Sequence, residues 1–489
     1  MSMMDHLPLL VAVVAGALVI ISVSTFYNDP LKNVPGPLIA RLSRLWLISI
    51  DLSGRRSKTI HALHQKYGSV VRIGPREVSF RSGKAMKDLY GADNKFVKAP
   101  VYEAFGRESS FTIRDKKAHR LRQKRIAHVF SPASISAVEP LIHEQVEKLL
   151  LVLNKRVGQT VDMMEWFRIF ALDVVGSVFL GQSFGGLDKE EAPRILHDLD
   201  DVFPSLWVQW QFSPIHRLLR AIPYQPLNRF LNIASDFYDK YGSEAFLQYV
   251  SRHGRSGNRT DLLTKLIAGT TAYEPLEDDQ IINEMTNLIF AGTDTTSNTL
   301  TYMFYELARL PEWQTRLQKE LDSVPFEGVP KYSEVMKLPI LDAMIHEILR
   351  LYPAAPASLQ RITLGHGGAV VDGVAIPQHG IASCQSYSTQ RDPAVYPNPD
   401  SFDPGRWLSA SEAHLNTMHE YILVWGKGQR SCLGKPMAYM ELKVGVAAIM
   451  KKFAVEIGGL TVDDDMEMID HFASAPKGKR CILRLQARQ

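Results

Sequence analysis

The stretch Val-Trp-Gly-Lys-Gly-Gln-Arg-Ser-Cys-Leu-Gly at residues 424–434 constrains this chain more than any other. Gly426 and Gly428 sit two apart, Arg430 and Cys432 follow, and Gly434 ends the run just before a helix-like pattern over 436–453. Proline in the first turn suits a helix start, because its missing N–H would have no partner there. The glycines permit the tight turns that precede it. One thiol is thus presented beside a helix N-terminus, where loop N–H groups and the helix dipole favour thiolate over thiol. A lone cysteine in a Gly-rich turn is more often a small buried residue; the spacing around this one argues otherwise.

A thiolate held this way is a good axial ligand for haem iron. The spacing resembles the haem-binding loop of the cytochrome P-450 family, Phe-Gly-x-Gly-x-Arg-x-Cys-x-Gly, at every position but the first, where Trp425 stands for phenylalanine. The resemblance implies that Cys432 is the iron ligand, that Gly426 and Gly434 shape the haem loop, and that Arg430 meets a haem propionate. Trp425 puts an indole N–H where the family has a hydrocarbon ring. That is expected to alter hydrogen bonding to the thiolate and, with it, the iron potential.

The longest helical pattern after the N-terminal stretch runs over 277–309, opened by Glu277, Asp278 and Asp279, which suit the positive end of the dipole. In its middle, Ala-Gly-Thr-Asp-Thr-Thr at 291–296 contradicts its surroundings. Glycine costs ~1 kcal/mol against alanine in a helix, threonine is a poor helix former, and an acid should not be buried alone. A local misfit of this kind marks function more often than accident. It matches the oxygen-activation motif of the family, and by that resemblance Asp294 and Thr295 handle protons and bound oxygen.

Residues 338–351 form a further amphipathic helix pattern that contains Glu347-Ile-Leu-Arg350. Acid and base three apart share a face, and on an exposed helix the pair contributes at most ~0.5 kcal/mol. It coincides with the family's Glu-x-x-Arg, which there is buried and joined by an arginine from a Phe-Asp-Pro-Gly-Arg-Trp segment, here Arg406. The implied role of Glu347, Arg350 and Arg406 is architectural. Residues 114–125 carry seven Lys or Arg and one acid, by default a solvated face. The family's helix at this place touches the haem propionates and the redox partner. His119 falls where a propionate-binding Trp or His sits. The basic residue usual four places on is Gln123, so Arg122 and Lys124 are the candidate substitutes. Arg361 falls at another propionate position.

With 22% charged and 45% hydrophobic residues the composition is that of a globular protein, and a formal charge of +4 leaves no nucleic-acid footprint. Three cysteines, Cys384, Cys432 and Cys481, are odd and sparse, which argues against a disulfide scaffold and for a reducing compartment. Residues 7–27 carry no charge, and as a helix would span about 30 Å, a bilayer core. No Lys or Arg precedes Lys32, while Lys32, Arg41 and Arg44 follow. The run therefore reads as an uncleaved single-pass anchor with the bulk of the chain in the cytoplasm. Asn258-Arg-Thr260 is a glycosylation acceptor sequence that this orientation leaves bare.

Residues 29–37, rich in proline, form a stiff hinge. Residues 66–74 and 77–80 alternate as a hairpin, and 370–377 and 481–485 read as further short strands. Residues 96–111 are expected to be a loop with Tyr102 and Phe105 exposed, by resemblance the mobile loop over the substrate cavity. Residues 203–230 are apolar and broken by prolines, with Trp207 and Trp210; they read either as core or as a lid that dips into the bilayer. Residues 472–476 are expected at the tip of the last hairpin, pointing at substrate.

The expected fold is mainly α with a smaller β-sheet part, the cytochrome P-450 fold preceded by one N-terminal transmembrane helix. The divisions are a membrane anchor over 1–28, the hinge over 29–37 and a catalytic domain over 38–489. The resemblance implies a haem-thiolate monooxygenase that inserts one atom of O2 into a lipophilic organic substrate. Its haem b has an axial cysteine thiolate. By the same resemblance, electrons are expected from an NADPH–cytochrome P-450 reductase, with cytochrome b5 as a second donor, at the endoplasmic reticulum membrane. The sequence texture resembles fungal members that tailor secondary metabolites such as terpenoids, polyketides or alkaloids. Two rival readings are a haem isomerase or dehydratase that does not use O2, and a non-catalytic membrane haem-binding protein. Both fit less well with the Asp294–Thr295 pair.

Overall fold

The computed structural model describes residues 29–211, 219, 222–257 and 259–488, without the side chains of residues 203, 207 and 210. The expected anchor over 7–27, the acceptor Asn258, and the side chains of Trp207 and Trp210 lie outside what is described. Among the described residues no helix is long and apolar enough to cross a membrane.

The helices that position the site are α1 (Leu38–Leu42), α2 (Leu45–Leu52), α3 (Lys116–Ile126), α4 (Pro132–Asn154), α5 (Met163–Leu180), α6 (Arg194–Gln211), α7 (Asp278–Arg309), α8 (Pro339–Leu351) and α9 (Lys435–Lys452). Helix α7 is the axis. Glu277 caps it, its side chain accepting from the third-residue N–H while Gln280 reaches back to the Glu277 N–H. Its 32 residues run about 48 Å at the α-helical rise, and its second half is buried almost throughout. It packs along α5, itself nearly all buried. The two approach closely at Gly292, where a Cβ would come 2.5 Å from Val175 Cγ2. That contact is one physical reason for a glycine in mid-helix. Thr286, Thr293, Thr295, Thr299 and Thr301 each donate to the carbonyl four residues back, the bonding that lets threonine sit inside a helix and tends to bend it. Helices α4, α8 and α9 complete the core around this pair.

The main sheet lies on the N-terminal side. It contains β1 (Val70–Gly74), β2 (Glu77–Phe80), β3 (Phe96–Lys98), β4 (Arg361–Thr363) and β5 (Ile381–Cys384), in the order β1-β2-β5-β4-β3. The hairpin read from 66–80 is β1–β2, antiparallel with a bulge at Gly74. The strand β3 pairs antiparallel with β4, setting Lys98 opposite Arg361. A late hairpin, β6 (Met468–His471) and β7 (Ala473–Pro476), turns at Phe472. The hinge is docked, not free. Leu31 and Val34 are buried, Arg72 pairs with Asp29, and the Arg72 N–H donates to the Pro35 carbonyl at 2.7 Å.

One expectation is overturned. Tyr102 and Phe105 are buried, not exposed. Their rings pack against Phe111 at 5.6 Å, and Phe105 lies 4.4 Å from Phe472 at the tip of the β6–β7 hairpin. Proline and glycine made the segment look like surface; a hairpin far away in sequence covers it.

Candidate functional site

The cysteine loop is shaped by its own backbone. Gly426 and Gly428 have φ of 65° and 61°, the left-handed region, and a Cβ on Gly428 would come 2.1 Å from the Tyr90 carbonyl. Gly434 has an ordinary φ of −76° and caps α9. The Cys432 N–H donates to the Trp425 carbonyl at 2.8 Å, closing the loop. Burial pushes the Cys432 thiol pKa up, while the N–H groups of Gly434 and Lys435, which point at the sulfur, and the Lys435 charge push it down. The thiol is both deep in the molecule and accessible. The next residue, Leu433, lines a small apolar cavity together with Met285 and Leu288 of α7. The buried Trp425 N–H interacts with the Tyr439 hydroxyl rather than with the sulfur.

Behind the loop lies a saturated charge network. Glu347 accepts from Arg350 twice at 2.8 Å, from Arg406 Nε at 3.0 Å, and from Trp407 Nε1 and the Asp403 N–H at 2.9 Å. Burial would raise the Glu347 pKa, but Arg350 and Arg406 outweigh it and hold it below the usual carboxylate range. The spare Arg350 donors go to the carbonyls of Gln390, Pro399 and Ser401. Gln390, which the sequence did not single out, ties this network to the loop. Its Oε1 accepts from the Leu423 and Val424 N–H groups at 2.9 Å, and its Nε2 donates to the Leu349 and Arg350 carbonyls.

Four basic groups meet on the other flank. Arg430 donates to the Ile113 and Arg114 carbonyls at 2.6 and 3.0 Å. Arg361 lies over the Tyr90 ring at 4.9 Å. Lys98, which no motif signalled, donates to the Phe111 carbonyl and sits 4.4 Å from the Tyr102 and Phe111 ring centres. His119 is buried beside them, its pKa lowered to about 3 by burial and then by Arg430, Lys98 and Arg361. Burial, Arg361 and Arg430 hold Lys98 well below its usual value, and burial and Arg361 bring Arg430 to about 10. Among the described residues the one acid acting on the set is Asp115, the weakest influence on Arg430. Like charges set directly across two strands repel, so Lys98 opposite Arg361 calls for an anion between them. The two carboxylates of a haem meet that need, and the thiol beyond them supplies the soft ligand its iron takes. Arg122, a candidate substitute for the missing basic residue, is instead committed to Glu284 at 2.9 Å.

On α7, the Thr295 hydroxyl donates to the Ala291 carbonyl at 2.5 Å. Ala291 is exposed although it lies in mid-helix, so this turn borders open space. Asp294 turns the other way, to Arg168 Nε of α5 at 3.5 Å, and Arg168 bonds Asp200 of α6 at 2.8 Å. Burial raises the Asp294 pKa, and Arg168 opposes it.

The family model of cytochrome P-450 matches residues 34–482. The chain is a cytochrome P-450. It is similar to the cytochrome P-450 monooxygenase nodW of Hypoxylon pulicicidum, at 30% identity over 88% of this chain and 78% of that one. It is similar to tazI, a monooxygenase of the same family from Aspergillus terreus, at 28% identity over 97% of each. The tryprostatin B 6-hydroxylase of Aspergillus fumigatus is 29% identical over 87% of this chain and 75% of its own length. A crystallised cytochrome P-450 heme domain shares the fold with a TM-score of 0.78 at 20% identity, covering 93% of this chain and 98% of that one. As a member of the family this cytochrome P-450 is a haem-thiolate monooxygenase, with a cysteine thiolate on the iron.

Proposed function

We propose that Cys432 is the iron ligand, that Arg430, Arg361, His119 and Lys98 hold the two propionates, and that Asp294 and Thr295 serve proton delivery. The observation that carries this is the pairing of a thiol faced by two N–H groups with a set of basic groups to which, among the described residues, no carboxylate is bonded. Bound there, the haem supplies reductive activation of O2 and transfer of one oxygen atom to the substrate. The chain's own part is to hold and move protons. Thr295 spends its hydroxyl proton on Ala291 and so presents lone pairs that accept a hydrogen bond from a water or a protonated oxygen. Asp294 holds a proton more readily than a free carboxylate because it is buried. The Arg168–Asp200 pair connects it to a partly exposed acid on α6.

The substrate is proposed to be lipophilic. Phe105, Phe111 and Phe472 form an apolar cluster beside α7, where Asn298 Nδ2 donates to the Ser474 carbonyl at 2.6 Å. The named relatives are fungal, and one of them hydroxylates tryprostatin B by its name; a role in tailoring a terpenoid, polyketide or alkaloid is the reading proposed here. Electrons are proposed to come from an NADPH–cytochrome P-450 reductase, with cytochrome b5 as a second donor. The chain is proposed to sit in the endoplasmic reticulum membrane by residues 7–27, its domain cytoplasmic. Exposed Leu38, Ile39, Leu42 and Leu45 on α1 and α2, next in the chain, support that placement.

The test is the carbon monoxide complex of the reduced protein. Wild type is expected to show the red-shifted Soret band that a thiolate ligand gives, and Cys432→His to lose it while other variants of the two remaining cysteines keep it. An unchanged band in Cys432→His excludes Cys432. With reductase and NADPH, product formed from an extract and detected by mass spectrometry separates monooxygenation from the two rival readings.

A further inference from the structure

The aromatic rings on the thiolate side form a continuous series. The Trp425 ring, on the residue whose carbonyl bonds the Cys432 N–H, lies 5.5 Å from the Tyr439 ring. Tyr439 lies 6.0 Å from His346, and His346 lies 5.1 Å from Trp407 and 5.0 Å from His419. Trp407 and His419 are 5.3 Å apart, and His419 is exposed. The rings thus step from the cysteine loop to the surface.

The middle step is built to move a proton. His346 Nδ1 lies 2.9 Å from the Asp342 carbonyl, which can only accept, so Nδ1 carries the ring proton. Nε2 is then a bare acceptor, and the Tyr439 O–H, 3.3 Å away, donates to it. The Asp342 carboxylate stands 3.4 Å from Nδ1, placed to stabilise an imidazolium. Burial, reinforced by Asp342, raises the Tyr439 pKa, so the phenol keeps its proton at rest. A buried phenol surrenders an electron readily only when its proton has somewhere to go, and His346 is that place.

We propose that Tyr439 is a redox-active side chain that discharges oxidising equivalents left at the haem site when no substrate takes the oxygen. This rests on the reading of Cys432 as the iron ligand. Tyr439 gives one electron through Trp425 toward the oxidised site and its phenolic proton to His346 Nε2, leaving a neutral tyrosyl radical and an imidazolium paired with Asp342. One electron from a small reductant, entering at the His419–Trp407 end, returns the radical to the phenol as His346 gives its proton back. The oxidant is the oxygen chemistry of the established activity; ascorbate serves as the reductant in the test.

The experiment uses the substrate-free holoenzyme mixed with hydrogen peroxide and freeze-quenched for electron paramagnetic resonance. Wild type is expected to show a tyrosyl signal that narrows when the protein carries ring-deuterated tyrosine and decays faster with ascorbate. Tyr439→Phe should lose the signal and bleach its haem several-fold faster under peroxide. His346→Gln, which keeps a polar group but no base, should cut the radical yield, and Trp425→Phe should slow its appearance. A signal of wild-type size in Tyr439→Phe, or no tyrosyl signal in wild type, overturns the proposal. The carbon monoxide spectrum, recorded on each variant, keeps the readings apart. A thiolate-type spectrum with no Tyr439-dependent radical sinks this proposal alone, and its absence in wild type sinks the ligand assignment.

Discussion

Two buried charge networks flank the cysteine loop, and they are built on opposite plans. The network around Glu347 has a carboxylate at its centre, and every donor that reaches it is satisfied: Arg350, Arg406, Trp407 and the Asp403 N–H all point inward. The cluster of Lys98, His119, Arg361 and Arg430 has no carboxylate bonded within it among the described residues, and Lys98, His119 and Arg430 are each lowered in proton affinity by burial and by their basic neighbours. Burying a charge costs several kcal/mol unless it is paired. A network that closes on itself therefore carries architecture. One that stays open is incomplete without a ligand of the opposite sign. The first fixes where Cys432 stands, and the second fixes what can lie in front of it.

The strongest way to break the comparison is to open the closed network. Glu347→Gln keeps the shape but leaves Arg350 and Arg406 buried without their counter-charge, at an expected cost of ~3–5 kcal/mol. Denaturant unfolding of the haem-free protein should register that loss, and haem incorporation should fall with it. A cost under ~1 kcal/mol, the range of an exposed pair, would show that the network is not what holds the loop.

A smaller effect distinguishes the open cluster by pH. His119 in the folded protein has a pKa of about 3 against 6.5 for the free side chain. Below pH 6.5 the unfolded chain takes up a proton that the folded one refuses. Stability therefore falls as pH drops from about 6.5 toward 3, by up to ~1.4 kcal/mol per pH unit for this one group. His119→Gln should flatten that slope in the haem-free protein. Part of it should remain, because burial also lowers His61 and His64 to about 4. An unchanged slope would remove His119 from the repelling set.

The least effect on stability is expected from Thr295→Ala, which touches neither network. It should cost under ~0.5 kcal/mol if the back-bond to Ala291 was merely tolerated, and the haem should stay bound. Chemistry should change all the same: NADPH consumption continues while much of the flux leaves as hydrogen peroxide. Wild-type coupling to product, also with a substrate that has no hydroxyl group, would leave Thr295 only its bond to Ala291.

What was legible in the sequence was what local spacing encodes. The cysteine loop, the acid and base three apart on α8 and the motif at 291–296 that interrupts α7 each sit within about a dozen residues, so chain geometry alone places their side chains together. What escaped notice depends on long-range pairing. Lys98 looks like an ordinary strand lysine until β3 pairs with β4 and sets it against Arg361. Gln390 is one polar residue in a loop until it bridges α8 and the cysteine loop. Arg168 lies on a helix rich in apolar residues, and only the packing of α5 against α7 brings it to Asp294. Tyr102 and Phe105 read as surface because the residues that bury them come from another part of the chain.

The open cluster is best tested by removing one of its charges and watching both states of the protein. Lys98→Met keeps the length and the apolar stem of the side chain. If the cluster is a cradle for the two haem carboxylates, the haem-free variant should be as stable as wild type or more so, by ~1 kcal/mol, because a like-charge cross-strand pair is gone. Its haem should at the same time pass to an acceptor apoprotein several-fold faster. Opposite responses of the two states are the prediction. Loss of stability in the haem-free protein with an unchanged haem dissociation rate would contradict it, and would make Lys98 a structural residue held by the Phe111 carbonyl and the rings of Tyr102 and Phe111.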